Sequence, residues 1–166
     1  IELIKEVLDS GADINLQCDL GNTPLMNAVN NNNIEIVELL INNGANINIR
    51  NKYNLSALDI CVKNNNLEIF KLLLTLKKND MSLNLELKNT VIECIKIDSI
   101  NIMNYLLENN LININEKLDE YSNTPLIFAS LYSNEPFVKY FLKSGANPNI
   151  KNAQFLFVGE KNAWYK

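Results

Sequence analysis

The sequence is informative first through what it lacks. None of its 166 residues is histidine, the commonest acid–base group and metal ligand of enzymes. The five glycines stand apart instead of forming a phosphate-binding loop, and the three cysteines show no CxxC spacing for zinc. These absences argue against an enzyme, a nucleotide-binding protein and a zinc site. We therefore expect no catalytic residue, no cofactor and no metal ion.

Long apolar runs and clusters of basic residues are also missing. Lys, Asn and Glu interrupt every stretch before it reaches the roughly 20 apolar residues of a membrane-spanning helix. The net charge of −4 lacks the clustered Lys and Arg of a nucleic-acid footprint. With 47% apolar residues, the chain can bury a sizeable core as one structural unit. We expect no membrane insertion and no nucleic-acid partner, and we expect a monomer.

A repeated phrase dominates what is present. GADIN at 11–15 returns as GANIN at 44–48, so that Asn15 and Asn48 lie 33 positions apart, and GANPN closes at Asn149. Thr23 and Thr124 both precede Pro-Leu and are 101 positions apart, close to three periods. Intermediate copies fall on schedule at Ser56-Ala57-Leu58 and, more weakly, at Asn89-Thr90-Val91.

Each period predicts two short helices. Thr23 suits a helix N-cap and Pro24 the first helical position, where a missing N–H costs nothing. The run Asn30 to Asn33 predicts the end of this helix, because Asn tolerates left-handed backbone. The stretch IEIVELLI then has a helical apolar face, and Gly44 supplies the positive φ of a C-terminal cap. The Asn run therefore indicates an ordered turn, in preference to a prion-like or disordered tract.

These motifs resemble those of ankyrin-repeat proteins, whose repeat of about 33 residues carries TPLHxA. The residues that carry the resemblance are TPLMNA at 23–28, TPLIFA at 124–129, EIVELL at 35–40 and the GADIN-type phrases, and only the His of the motif is missing. The resemblance implies an all-α fold, an α-solenoid of stacked helix-turn-helix units with projecting loops or short hairpins. It also implies a concave face, made of loop tips and first helices, that binds another protein.

The period divides the chain into one array and a tail. The predicted array covers residues 1–149, with a partial first repeat at 1–15 and further repeats at about 16–48, 49–81, 82–115 and 116–149. The chain begins with Ile, so we expect a piece of a longer protein. The stretch 101–115 is one residue longer than its equivalents, which predicts a local distortion. Residues 150–166 are a partial last repeat, a cap or an irregular tail containing Phe155, Leu156, Phe157 and Trp164. We favour a piece from beyond a gap over a cap.

The cysteines fit structural positions. Cys61 and Cys94 occupy the place of Ala28 and Ala129, which predicts small core residues, whereas Cys18 falls on a projecting loop as an exposed thiol. Unpaired core cysteines favour a reducing compartment such as the cytoplasm, while a secreted effector stays open.

Candidate partner-binding residues recur at two positions of the repeat. Leu20, Tyr53 and Tyr121 share a loop-tip position, where the alternative is that each folds back on its own loop. The first helices end in pairs that pass from Asn30-Asn31 and Lys63-Asn64 to Lys96-Ile97 and Leu131-Tyr132. The predicted set is Leu20, Tyr53, Leu55, Ile97, Tyr121, Leu131 and Tyr132, with emphasis on Tyr121, Leu131, Tyr132 and Ile97 in the third to fifth copies.

The sequence thus predicts a protein–protein interaction module whose partner it does not name. The alternative is a regulatory or targeting arm of a larger enzyme or secreted effector, with the catalytic region outside this chain.

Overall fold

The computed structural model describes residue 6 and residues 10–77 and 83–153. Within these ranges the chain forms eight α-helices and no β-strand. The helices are α1 (Pro24–Asn30), α2 (Ile34–Asn42), α3 (Ala57–Lys63), α4 (Leu67–Leu76), α5 (Leu83–Lys96), α6 (Ile100–Glu108), α7 (Pro125–Leu131) and α8 (Glu135–Lys143). The chain divides into two compact units, residues 1–80 and residues 81–166, and each is described by itself.

Each unit is built from pairs of short helices. In the first unit α1 packs against α2 and α3 against α4, and the pairs meet through α1 with α3 and α2 with α4. In the second unit α5 packs against α6 and α7 against α8, and these pairs meet through α5 and α7. Such stacking lets neighbouring repeats cover each other's apolar faces. The predicted all-α fold of helix-turn-helix units is confirmed.

The predicted N-caps explain where the first helices begin. The Thr23 hydroxyl accepts a hydrogen bond from the Met26 N–H at 3.2 Å, and Pro24 occupies the first helical position. Thr124 caps α7 in the same way. Ser56 forms a reciprocal capping box with Asp59, whose carboxylate accepts from the Ser56 N–H at 2.8 Å. These side chains satisfy backbone donors that would otherwise be unpaired at the start of a helix.

The helix ends follow the predicted turn chemistry as well. Gly44 has φ +87° after α2; its N–H donates to the Ile41 carbonyl and the Ala45 N–H to the Leu40 carbonyl, both at 3.0 Å. Asn32 plays the same part after α1 with φ +54°. This is the Schellman motif, which needs a left-handed residue just beyond the helix. Asn residues are therefore ordered turn residues at these sites.

The repeat start predicted at Asn89-Thr90-Val91 does not begin a helix. These residues lie inside the 14-residue helix α5, which begins at Leu83. Leu, Glu and Lys favour helix, and neither Gly nor Pro interrupts the stretch. The Thr90 hydroxyl donates to the Glu86 carbonyl at 2.9 Å and so bonds within the helix instead of capping one.

Apolar side chains of the second helix of each pair contribute to the core of each unit. Val37 and Leu40 of α2 are buried in the first unit, while Phe137 and Phe141 of α8 are fully buried in the second, with ring centroids 5.4 Å apart. Cys61 and Cys94 are completely buried in the positions that Ala28 and Ala129 fill elsewhere, which confirms their prediction as core residues. Burial raises the pKa of both thiols to about 12.

Several predictions concern parts of the chain outside the described residues. These are residues 1–9 of the partial first repeat, of which only Glu6 is described, and the tail residues Phe155, Leu156, Phe157 and Trp164. The repeat boundaries and the nature of residues 150–166 stay predictions.

Candidate protein-binding surface

Two neighbouring loop tips of the first unit present large apolar side chains. The Lys52 N–H donates to the Leu20 carbonyl at 3.1 Å, so the backbones of the two tips are directly bonded. Leu20 is 51% exposed and Tyr53 is 68% exposed. About half or more of each residue is therefore open to solvent. Gly21 permits the close approach, because a Cβ atom there would lie 2.8 Å from the Lys52 nitrogen.

A buried asparagine fixes the shape of the second of these loops. The side-chain oxygen of Asn51 accepts from the N–H groups of Tyr53 and Leu55, both at 3.0 Å. Its amide nitrogen donates to the side-chain oxygen of Asn22 at 2.8 Å and thereby reaches the previous loop. Leu55 is partly buried, so it presents less of its side chain than Leu20 or Tyr53.

The corresponding tip of the second unit carries Tyr121, which is 49% exposed. The Leu118 N–H closes this loop on the Asn123 carbonyl at 2.8 Å, and Asp119 accepts from both the backbone and the side chain of Asn123. The Tyr121 carbonyl accepts from the Ala153 N–H at 2.7 Å. Tyr121 therefore stands on a well-bonded loop, as Leu20 does.

Tyr132, at the end of the first helix of its pair, has a ring that makes two side-chain contacts. It is the C-cap of α7 and 47% exposed. Its ring stacks on Phe128 with centroids 6.2 Å apart and an interplanar angle of 15°. The Lys96 ammonium lies 5.6 Å from the ring centroid, within the range of a cation–π contact. Sequence reasoning named Lys96 but missed this contact, because nothing in the period shows which side chain crosses to the next repeat.

Ile97 and Leu131 complete the predicted set in the second unit. Ile97 follows α5 and is partly buried. The Asn134 side chain donates to the Ile95 carbonyl at 2.7 Å and to the Asp98 carboxylate at 2.6 Å, which holds the end of α5 against the turn after Tyr132. Leu131 is 57% exposed, but it also lines an apolar hollow with Val138 of α8.

A comparison with protein families agrees with the helix pairs, the caps and the period. A family model described as ankyrin repeats (3 copies) matches residues 1–86 and 75–152. The chain belongs to the ankyrin-repeat family. No curated protein matches it significantly. Ankyrin repeats are generally protein–protein interaction modules, and the family is typically non-catalytic.

We next consider possible metal ligands and reactive thiols in the described part of this ankyrin-repeat chain. Within residues 10–77 and 83–153, no three His, Cys, Asp or Glu side chains gather where they could hold a metal ion. The buried thiols of Cys61 and Cys94 stay protonated at neutral pH, whereas Cys18 is exposed. None of the described helices has the length and apolar character needed to cross a membrane.

Proposed function

We propose that the ankyrin array binds a partner protein through its loop tips and the carboxyl ends of its first helices, which form the concave face in the family. The second unit supplies the main contacts through Ile97, Tyr121, Leu131 and Tyr132. In the first unit, Leu20, Tyr53 and Leu55 form a second contact region.

The observation that carries this proposal is the environment of Tyr132. Phe128 supports one side of the ring and the Lys96 ammonium lies over it, while about half of the side chain stays open to solvent. An aromatic residue that is already oriented loses little conformational entropy when it binds, and Tyr is enriched among residues that dominate interface energies. A core role does not require this exposure.

The test compares the wild-type chain with Tyr132→Ala in affinity capture followed by mass spectrometry and a calorimetric Kd for the partner found. We expect the substitution to weaken binding by ~2 kcal/mol or more, because a hot-spot side chain is removed. Thermal unfolding should change little, since Tyr132 is a half-exposed C-cap residue.

Leu85→Ala is the matched control. Leu85 is a large exposed apolar residue of the same unit, but it lies near the start of α5, outside the proposed surface. Its truncation should leave the Kd unchanged. Equal binding by wild type and Tyr132→Ala, or an equal loss in Leu85→Ala, would reject the proposed surface.

A further inference from the structure

The second unit contains a cleft that the proposed binding surface does not use. It has a volume of about 740 Å³ and is lined by the last turns of α6 and α8 and by the turn that follows α6. Leu107 and Glu108 come from α6, Tyr140 comes from α8, and Ser144 is the C-cap of α8. None of the seven residues predicted for partner binding lines this cleft.

The turn that forms one wall of the cleft is one residue longer than the corresponding turn of the first unit. Three positions separate the α2 C-cap Asn43 from Asn46, the residue whose side chain accepts the Asn48 N–H. Four positions separate the α6 C-cap Asn109 from Asn113, which accepts the Asn115 N–H in the same way. The longer turn contains Ile112 and Ile114, and both line the cleft. This is where the sequence predicted a local distortion.

The lining has the chemistry of a site for a cation with an aliphatic stem. Among the lining residues that lie in the described part of the chain, Glu108 is the only charged one. The carboxyl ends of α6 and α8 both adjoin the cleft, and the carboxyl ends of helices carry partial negative charge. Leu107, Ile112 and Ile114 offer apolar walls along which a long side chain can lie.

Tyr140 adds a polar group beside Glu108. Desolvation raises the pKa of the Tyr140 hydroxyl; the Ser144 hydrogen bond opposes this rise and the Glu108 charge adds to it. The phenol therefore stays protonated at neutral pH, and its oxygen can accept a hydrogen bond from a guanidinium.

We propose that this cleft binds an arginine side chain of a partner polypeptide, with the guanidinium on Glu108 and Tyr140 and the stem along Leu107 and Ile114. Arginine fits better than lysine because its planar group can bond a carboxylate through two donors and still donate to the phenol. This inference rests on the proposed function in one respect, because it assumes that the partner is a polypeptide.

The experiment titrates the full chain with a blocked pentapeptide, Gly-Gly-Arg-Gly-Gly, and follows backbone amide shifts by NMR. We expect saturable shifts of the backbone amides of Asn110, Asn113 and Ser144, which line the cleft. The same peptide with citrulline, the neutral analogue of arginine, should give no saturable shift. Glu108→Gln should weaken binding at least about fivefold, because a charge-assisted pair becomes a neutral one.

Two control variants separate this site from others. Glu135→Gln makes the same change of net charge at the first residue of α8 and should leave peptide binding unchanged. Tyr132→Ala should also leave it unchanged, so that a failure of the proposed partner surface and a failure of the cleft are distinguishable. The cleft proposal is wrong if the shifts do not saturate, if citrulline replaces arginine without loss, or if Glu108→Gln binds like the wild type.

Discussion

The side-chain amide of Asn134 donates to the carboxylate of Asp98 at 2.6 Å and so joins two consecutive repeats of the second unit. The same side chain accepts the Phe137 N–H at 3.1 Å as the N-cap of α8. Asn66 does both tasks in the first unit, where it accepts from the Ile69 N–H and donates to Asn32. One residue type thus begins a helix and links it to its neighbour, which gives a structural reason for the many Asn residues of this chain.

We expect Asn134→Ala to lower the free energy of unfolding by about 1–3 kcal/mol, because the substitution removes the cap and leaves the partly buried Ile95 carbonyl without its donor. Urea denaturation measures the change. Asn134→Ser, which keeps a capping oxygen as Ser56 does before α3, should lose less. If the alanine variant were as stable as the wild type, the link between repeats would carry no stability.

Gly21→Ala should destabilise the first unit more than Gly44→Ala does. Both glycines have positive φ, but only at Gly21 does a Cβ atom meet backbone, at 2.8 Å from the Lys52 nitrogen. We expect about 1 kcal/mol for Gly44→Ala from the backbone conformation alone, and a larger loss for Gly21→Ala because the Lys52–Leu20 hydrogen bond must also shift. Denaturant midpoints of the two variants, measured side by side, test the order. The reverse order would contradict the close contact of the tips.

Leu40→Ala should cost about 2–5 kcal/mol in unfolding free energy, because it leaves a cavity under α2. Leu40 is only 3% exposed. Leu16→Ala is the control, since Leu16 is largely exposed and should change stability by less than about 0.5 kcal/mol. A wild-type melting temperature for Leu40→Ala would contradict the packing described.

The buried thiols predict a pH dependence with a definite sign. Burial raises the pKa of Cys61 and Cys94 from 9.0 to about 12, so above pH 9 the unfolded chain releases protons that the folded chain retains. Their contribution to stability is present below pH 9 and is lost as the pH rises from there toward 12. Urea midpoints measured across this range should fall more steeply for the wild type than for Cys61→Ala, a substitution that Ala28 and Ala129 show to fit. Parallel slopes would contradict the burial of the thiol.

Many of the helix boundaries could be predicted from the chemistry of single residues. Thr23, Ser56 and Thr124 mark helix starts through a short-range hydrogen bond, and Gly44 marks an end through its backbone freedom, so these boundaries were predictable from single residues. The start expected near Thr90 failed for the same reason. A threonine is a cap only where the preceding residues leave the helix, and the residues before Thr90 favour helix.

The candidate sites could likewise be predicted only in part. Their residue types could be predicted, because loop-tip and helix-end positions follow the period. The contact between Lys96 and Tyr132 could not, since it joins side chains 36 positions apart through the packing of two repeats. The extra residue beside Ile112 was visible as a longer stretch, but the cleft appears only once the ends of α6 and α8 are placed.

The bond between the Lys52 N–H and the Leu20 carbonyl uses main-chain atoms only. The spacing of these two tips therefore does not depend on which side chains occupy positions 20 and 53. Evolution, or a laboratory selection from randomised codons, is thus free to exchange Leu20 and Tyr53 for other residues and so to change the recognised target while the supporting framework is kept.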